Sequence, residues 1–83
     1  MEIELKLFAT LGRHLPATAK RNAVRIEIPA ESTAYDVIDA HGIDRDEAFM
    51  VVRNGVFMPP QQRASEALCE GDVLVIWPPV AGG

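Results

Sequence analysis

Apolar and polar positions alternate over the opening of the chain, where Ile3, Leu5 and Leu7 are interleaved with Glu4 and Lys6. That two-residue period predicts a strand buried on one face. Gly12 and Pro16 then interrupt the pattern, and a polar loop is expected to run to about Asn22. Val24, Ile26 and Ile28 alternate with Arg25 and Glu27, a second strand that stops at Pro29, so a hairpin with a long loop joins the two. Beyond Pro29 the period lengthens. Ser32 or Thr33 supplies a hydroxyl that accepts an orphan backbone N–H, and Asp36, three residues after Thr33, suits both a capping box and the helix dipole. Ala34, Val37, Ile38 and His41 follow helical spacing, with Gly42 placed to end the helix.

Phe49 to Arg53 is a β-rich run that meets Asn54-Gly55, a strong two-residue hairpin signal. Val56-Phe57-Met58 reads as a short return strand blunted by Pro59-Pro60, and a loop or a single helical turn is expected from Arg63 to Leu68. Glu70-Gly71-Asp72 is a turn. Asp72 to Trp77 forms the last strand, ended by Pro78-Pro79 because proline supplies no ladder donor. The order predicts an α+β fold, with a mixed sheet of four or five strands packed on one main helix. Residues 1–79 are expected to form the domain and 80–83 a flexible tail.

Composition narrows the functions open to such a fold. With 83 residues and 48% hydrophobic content, the chain makes one small core with little room for a deep cavity. Function is therefore expected on a surface or at a terminus. A net charge of −4 argues against nucleic acid, since phosphate-backbone binding needs clustered Lys and Arg; Lys20-Arg21 with Arg25 reads as a solvated loop. The single cysteine, Cys69, excludes a disulfide framework, a multi-cysteine metal site and a four-cysteine iron–sulfur cluster. No secretory pattern opens the sequence and no apolar run approaches membrane-spanning length, so a cytoplasmic location without membrane contact is expected.

The chemistry concentrates in the tail Val80-Ala81-Gly82-Gly83. Two terminal glycines carry no side chain, so a narrow channel can admit the backbone up to its last carbonyl. Pro78-Pro79 stiffens the root and directs the tail away from the body. A carboxylate at Gly83 becomes electrophilic once ATP converts it to an acyl-adenylate. A persulfide sulfur can then displace AMP and leave a thiocarboxylate, whose sulfur is a good nucleophile at neutral pH.

The run from Glu70 to Gly83, EGDVLVIWPPVAGG, resembles the ending of the MoaD/ThiS sulfur-carrier family. There a Gly-Asp turn leads into the last strand, then Pro-Pro, then a terminal Gly-Gly. The Pro-Pro-Val-x-Gly-Gly form is closer to the molybdopterin-synthase small subunit than to the thiamine carrier. Ile3 to Ala9, with Phe8-Ala9 closing the first strand, and Val52-Arg53-Asn54-Gly55 extend the likeness over the whole chain. The resemblance implies the ubiquitin-like β-grasp fold and adenylation of Gly83 by a MoeB/ThiF-like (E1-like) enzyme that uses ATP. It also implies sulfur supply by a sulfurtransferase or cysteine desulfurase. The expected protein is a non-catalytic carrier with no bound cofactor or metal, serving as small subunit of a molybdopterin synthase beside a MoaE-like large subunit. Sulfur delivery to thiamine, cysteine or tRNA, protein modification through an isopeptide bond at Gly83, and a plain interaction domain are the alternatives.

The faces of the strands add a docking site. Leu74 and Ile76 point one way, and Val73, Val75 and Trp77 the other; Phe8 points opposite to Ile3, Leu5 and Leu7. Because one helix covers a single face, Phe8, Val75 and Trp77 are expected to form an apolar patch beside Pro78, Pro79, Val80 and Ala81, where a partner binds. Cys69 reads as ordinary packing, since no basic residue or histidine adjoins it in sequence. His14 and His41 are assigned to a loop and a helix end, and Glu70 and Asp72 to the turn.

Overall fold

The computed structural model describes residues 1–80. A five-stranded mixed sheet lies against helices on one face. Its strands are β1 (Glu2–Leu7), β2 (Ala23–Glu27), β3 (Met50–Arg53), β4 (Val56–Phe57) and β5 (Val73–Trp77), in the order β2-β1-β5-β3-β4. β1 pairs antiparallel with β2 and parallel with β5, which puts the first and last strands side by side at the centre. β3 pairs antiparallel with both β5 and β4. This is the α+β arrangement that the alternating patterns predict, and the β-grasp layout that the family resemblance implies.

The main helix α1 (Ala34–Ala40) begins as its sequence dictates. Thr33 Oγ1 accepts from the Asp36 amide at 3.2 Å, and the Asp36 carboxylate accepts from the Thr33 amide at 2.9 Å, closing a capping box. Ala34, Val37 and Ile38 are buried against the inner sheet face, where Ile3, Leu5, Leu7, Val51, Leu74 and Ile76 complete the core. His41 ends the helix, its Nδ1 lying 2.8 Å from the Val37 carbonyl. Asn54 and Gly55 both have positive φ, 51° and 83°, the backbone that a two-residue hairpin needs to match the strand twist.

Two segments differ from expectation. The loop between β1 and β2 contains a 3-10 helix, Ala9–His14, whose Leu11 is fully buried over the open end of the core. Pro59-Pro60 does more than blunt β4: Pro60 occupies the first turn of a second helix, α2 (Pro60–Ser65), where a missing N–H costs nothing. The expected turn at Arg63 to Leu68 is therefore shifted towards the N-terminus, and Leu68 follows as a buried residue.

Candidate functional site at the end of the last strand

The start of β5 is held by its preceding turn. The Asp72 carboxylate accepts from the Cys69 amide (2.7 Å), from Arg53 Nε (2.8 Å) and from Asn54 Nδ2 (2.9 Å). Asn54 Oδ1 in turn accepts from the Val73 amide, and the Gly71 amide donates to the Glu2 carbonyl, both at 2.8 Å. Burial pushes the Asp72 carboxyl up, but the Cys69 and Asn54 donors and the Arg53 guanidinium outweigh it and hold the group below its ordinary value. Glu70 and Asp72 are thus turn residues, as the sequence suggests.

The far end of β5 is built differently. The Ile76 carbonyl accepts from the Phe8 amide at 3.1 Å and the Trp77 carbonyl from the Phe49 amide at 3.0 Å. Neither Pro78 nor Pro79 has an N–H to continue the ladder. Exposure rises along the exit, from half-buried Pro78 to exposed Pro79 and Val80, the last at 82%. Ala81, Gly82 and Gly83, which carry the predicted chemistry, lie outside the described residues.

Phe8 and Trp77 meet on the open face of the sheet. Their rings stack with centroids 5.2 Å apart and planes 9° from parallel, and both are half-buried. Register places Val75 beside Val52, and Trp77 beside Met50. Beyond them Phe49, Met50 and Phe57 are 61%, 41% and 53% exposed. The patch is therefore wider than the Phe8, Val75 and Trp77 expected from the strand faces, because β3 and β4 extend it to the sheet edge. The other half of the same face is charged: Glu2, Glu4 and Lys6 of β1 stand in register with Glu27, Arg25 and Ala23 of β2. The apolar half and the tail root coincide.

Arg63 fixes the frame of that patch, a role that sequence reasoning missed. Its side chain is buried (4% exposed) and donates to the carbonyls of Met58 (2.7 Å), Ala48 (3.0 Å) and Phe49 (3.2 Å), with the Phe57 ring 5.5 Å from its guanidinium carbon. One planar group with several donors thereby ties the start of β3 to the end of β4. Cys69 is exposed rather than packed, a second correction. Although no basic residue adjoins it in sequence, β3 brings Arg53 Nη2 to 3.3 Å from its sulfur. His14 closes the 3-10 helix, and among the described residues no group of three His, Cys, Asp or Glu side chains is placed to hold a metal. No described helix is long and apolar enough to cross a membrane.

This architecture, with the terminal sequence motif, finds its counterpart among known proteins. A family model described as the ThiS family matches residues 6–83. The chain belongs to the ThiS family. The solution structure of the Haloferax volcanii HVO 2177 protein is similar at 25% identity and a TM-score of 0.77, covering 100% of this chain and 87% of that one. The small archaeal modifier protein 1 of the same organism is similar at 26% identity and a TM-score of 0.69, covering 95% and 98% of the two chains. The complex of subunits 1 and 2 of the molybdopterin-converting factor from Helicobacter pylori shares the fold, at 19% identity and a TM-score of 0.57 over the full length of both chains. No curated protein sequence matches. The chain therefore has the ubiquitin-like fold common to ThiS/MoaD sulfur carriers and small archaeal modifiers.

Proposed function

We propose that this ThiS-family protein carries sulfur on Gly83 and delivers it in molybdopterin synthesis, as the small subunit of a heteromeric synthase. The observation that carries this reading is the coincidence of the tail root with the apolar patch: β5 leads its backbone out through Pro78-Pro79 next to Phe8 and Trp77. A partner that grips Phe8, Val75 and Trp77 receives Pro79, Val80 and Ala81 in the same encounter, and Gly82 and Gly83 enter its channel. An E1-like, MoeB/ThiF-like enzyme adenylates the Gly83 carboxylate with ATP and releases pyrophosphate. The terminal sulfur of a persulfide, charged by a sulfurtransferase or cysteine desulfurase, attacks the acyl carbon and expels AMP. A thiol then reduces the resulting acyl disulfide, leaving the thiocarboxylate. A MoaE-like large subunit holds the acceptor. The carrier itself binds no cofactor.

Intact mass after incubation with ATP, a competent activating enzyme, a persulfide donor and a thiol tests this directly. The expected change is the exchange of one oxygen for one sulfur at the C-terminus; an unchanged mass would count against the proposal. Delivery to thiamine, cysteine or tRNA uses the same charged tail, and co-purification of the large subunit decides among the acceptors.

The likeness to a small archaeal modifier over 95% of the chain favours a second reading, in which Gly83 forms an isopeptide bond with lysines of other proteins. Thiol-resistant shifted bands on a denaturing gel that vanish when Gly83 is deleted would support it.

A further inference from the structure

A groove of about 620 Å³ lies away from the root of the tail, between β2 and α1. β2 is the outermost strand on its side of the sheet. Its pairing with β1 decides which of its backbone groups point outwards. Met1 and Ile28 exchange both their N–H and C=O groups. By the alternation of an antiparallel ladder, Ile26 and Val24 also bond to β1, whereas Arg25 and Glu27 turn their N–H and C=O groups away from it. Among the described residues nothing bonds to these outward groups. The free edge has a definite length: Lys20 occupies the edge position at Ala23, and Pro29 supplies no donor at the other end.

This edge is self-complementary about Ile26. A second copy laid antiparallel on a two-fold axis through Ile26 sets Arg25 opposite the mate's Glu27, and Glu27 opposite the mate's Arg25. These are hydrogen-bonded positions, so every outward N–H and C=O of both residues finds a partner. Their side chains are exposed, at 76% and 78%, and opposite in charge. Cross-strand pairs of opposite charge stabilise such a ladder. Ile26, half-buried and part of the groove lining, meets its own copy at the closer, non-hydrogen-bonded position and becomes covered, and half-buried Val24 faces the mate's Ile28. The same axis brings the two stops together: Lys20 fills the edge at Ala23, and the mate's chain leaves the ladder there at its own Pro29. Exposed charges ordinarily blunt a strand edge. Here their signs are arranged to attract the same edge of another copy.

We propose that two copies of this protein associate through β2, antiparallel about Ile26, to give one sheet continuous across the two-fold axis. β1 separates β2 from β5, so both tail roots remain open. Light scattering across a concentration series tests this. The mass of the wild-type chain is expected to rise from 9.1 kDa towards twice that value. Arg25→Glu and Glu27→Arg should each hold the chain at the single-copy mass, because like charges then face each other twice. An equimolar mixture of the two variants should restore the doubled mass, since one edge is then wholly acidic and the other wholly basic. A wild-type chain that stays at the single mass up to millimolar concentration overturns the proposal. So does a single variant that doubles like the wild type, or a mixture that fails to associate while both variants remain folded by circular dichroism. If a variant does not fold, amide exchange of the wild type decides: Arg25 and Glu27 amides should exchange more slowly as concentration rises, and unchanged rates would refute the pairing.

Discussion

The two ends of β5 are built on opposite principles. At its start, a buried carboxylate gathers donors from the turn, from β3 and from the hairpin tip, so Val73 enters the sheet from a fixed position. At its end, main-chain bonds from Phe8 and Phe49 hold the last two carbonyls, and then two prolines offer no N–H to continue the ladder. A strand clamped at one end aims whatever leaves the other. Stability is therefore secured at one end of the element and the proposed function lies at the other, and substitutions should separate them.

The sharpest separation is at the tip. Deleting Gly83, or adding one residue after it, should abolish thiocarboxylate formation by intact mass while leaving the thermal midpoint unchanged. A large loss of stability without direct chemistry is expected at Arg63. Arg63→Ala strands the carbonyls of Ala48, Phe49 and Met58 and should cost about 3 kcal/mol in urea unfolding. Arg63→Lys should recover only part of that, because an ammonium lacks the planar fork.

At the clamped end, Asp72→Asn keeps the shape but gives up the charge-assisted bonds to Arg53 and Cys69, and should cost about 2 kcal/mol at neutral pH. Folding lowers the pKa of this carboxyl, so its contribution is complete above the ordinary value of 3.8 and disappears as the pH falls through the lower folded value. Wild-type stability should therefore decline more steeply than that of Asp72→Asn as the pH drops below 3.8. Equal slopes in denaturant titrations would remove the clamp from the comparison. Of the three side-chain substitutions, the one at the exit should cost the least stability. Trp77→Ala breaks a half-buried stack and should cost about 1 kcal/mol, while weakening capture by the activating enzyme about tenfold or more.

How much of this was legible in the sequence depends on the range of the interaction involved. Alternation at Ile3, Leu5 and Leu7 and the Thr33–Asp36 spacing act over a few residues, and both appear as read. Asn54-Gly55 likewise carries its own backbone preference. The Phe8–Trp77 stack needs one further step: parallel register sets Leu7 beside Ile76, which brings the next residues together. Leu11, Arg63 and Cys69 escaped for a common reason. Leu11 reads as part of a polar loop, Arg63 as the start of a loop or single turn and Cys69 as packing, because the groups that decide each case are distant in sequence. Pro60 was misplaced by a different ambiguity, since the proline that ends a strand also begins a helix well.

The central position of β5 also has a consequence for biosynthesis. β1 is made well before its parallel neighbour β5, so the sheet cannot close on a nascent chain that still lacks β5. A truncated product lacks both the middle of its sheet and the tail it was to carry. Any enzyme that selects the tip by the surface around its root thereby selects completed molecules, and half-made ones do not compete.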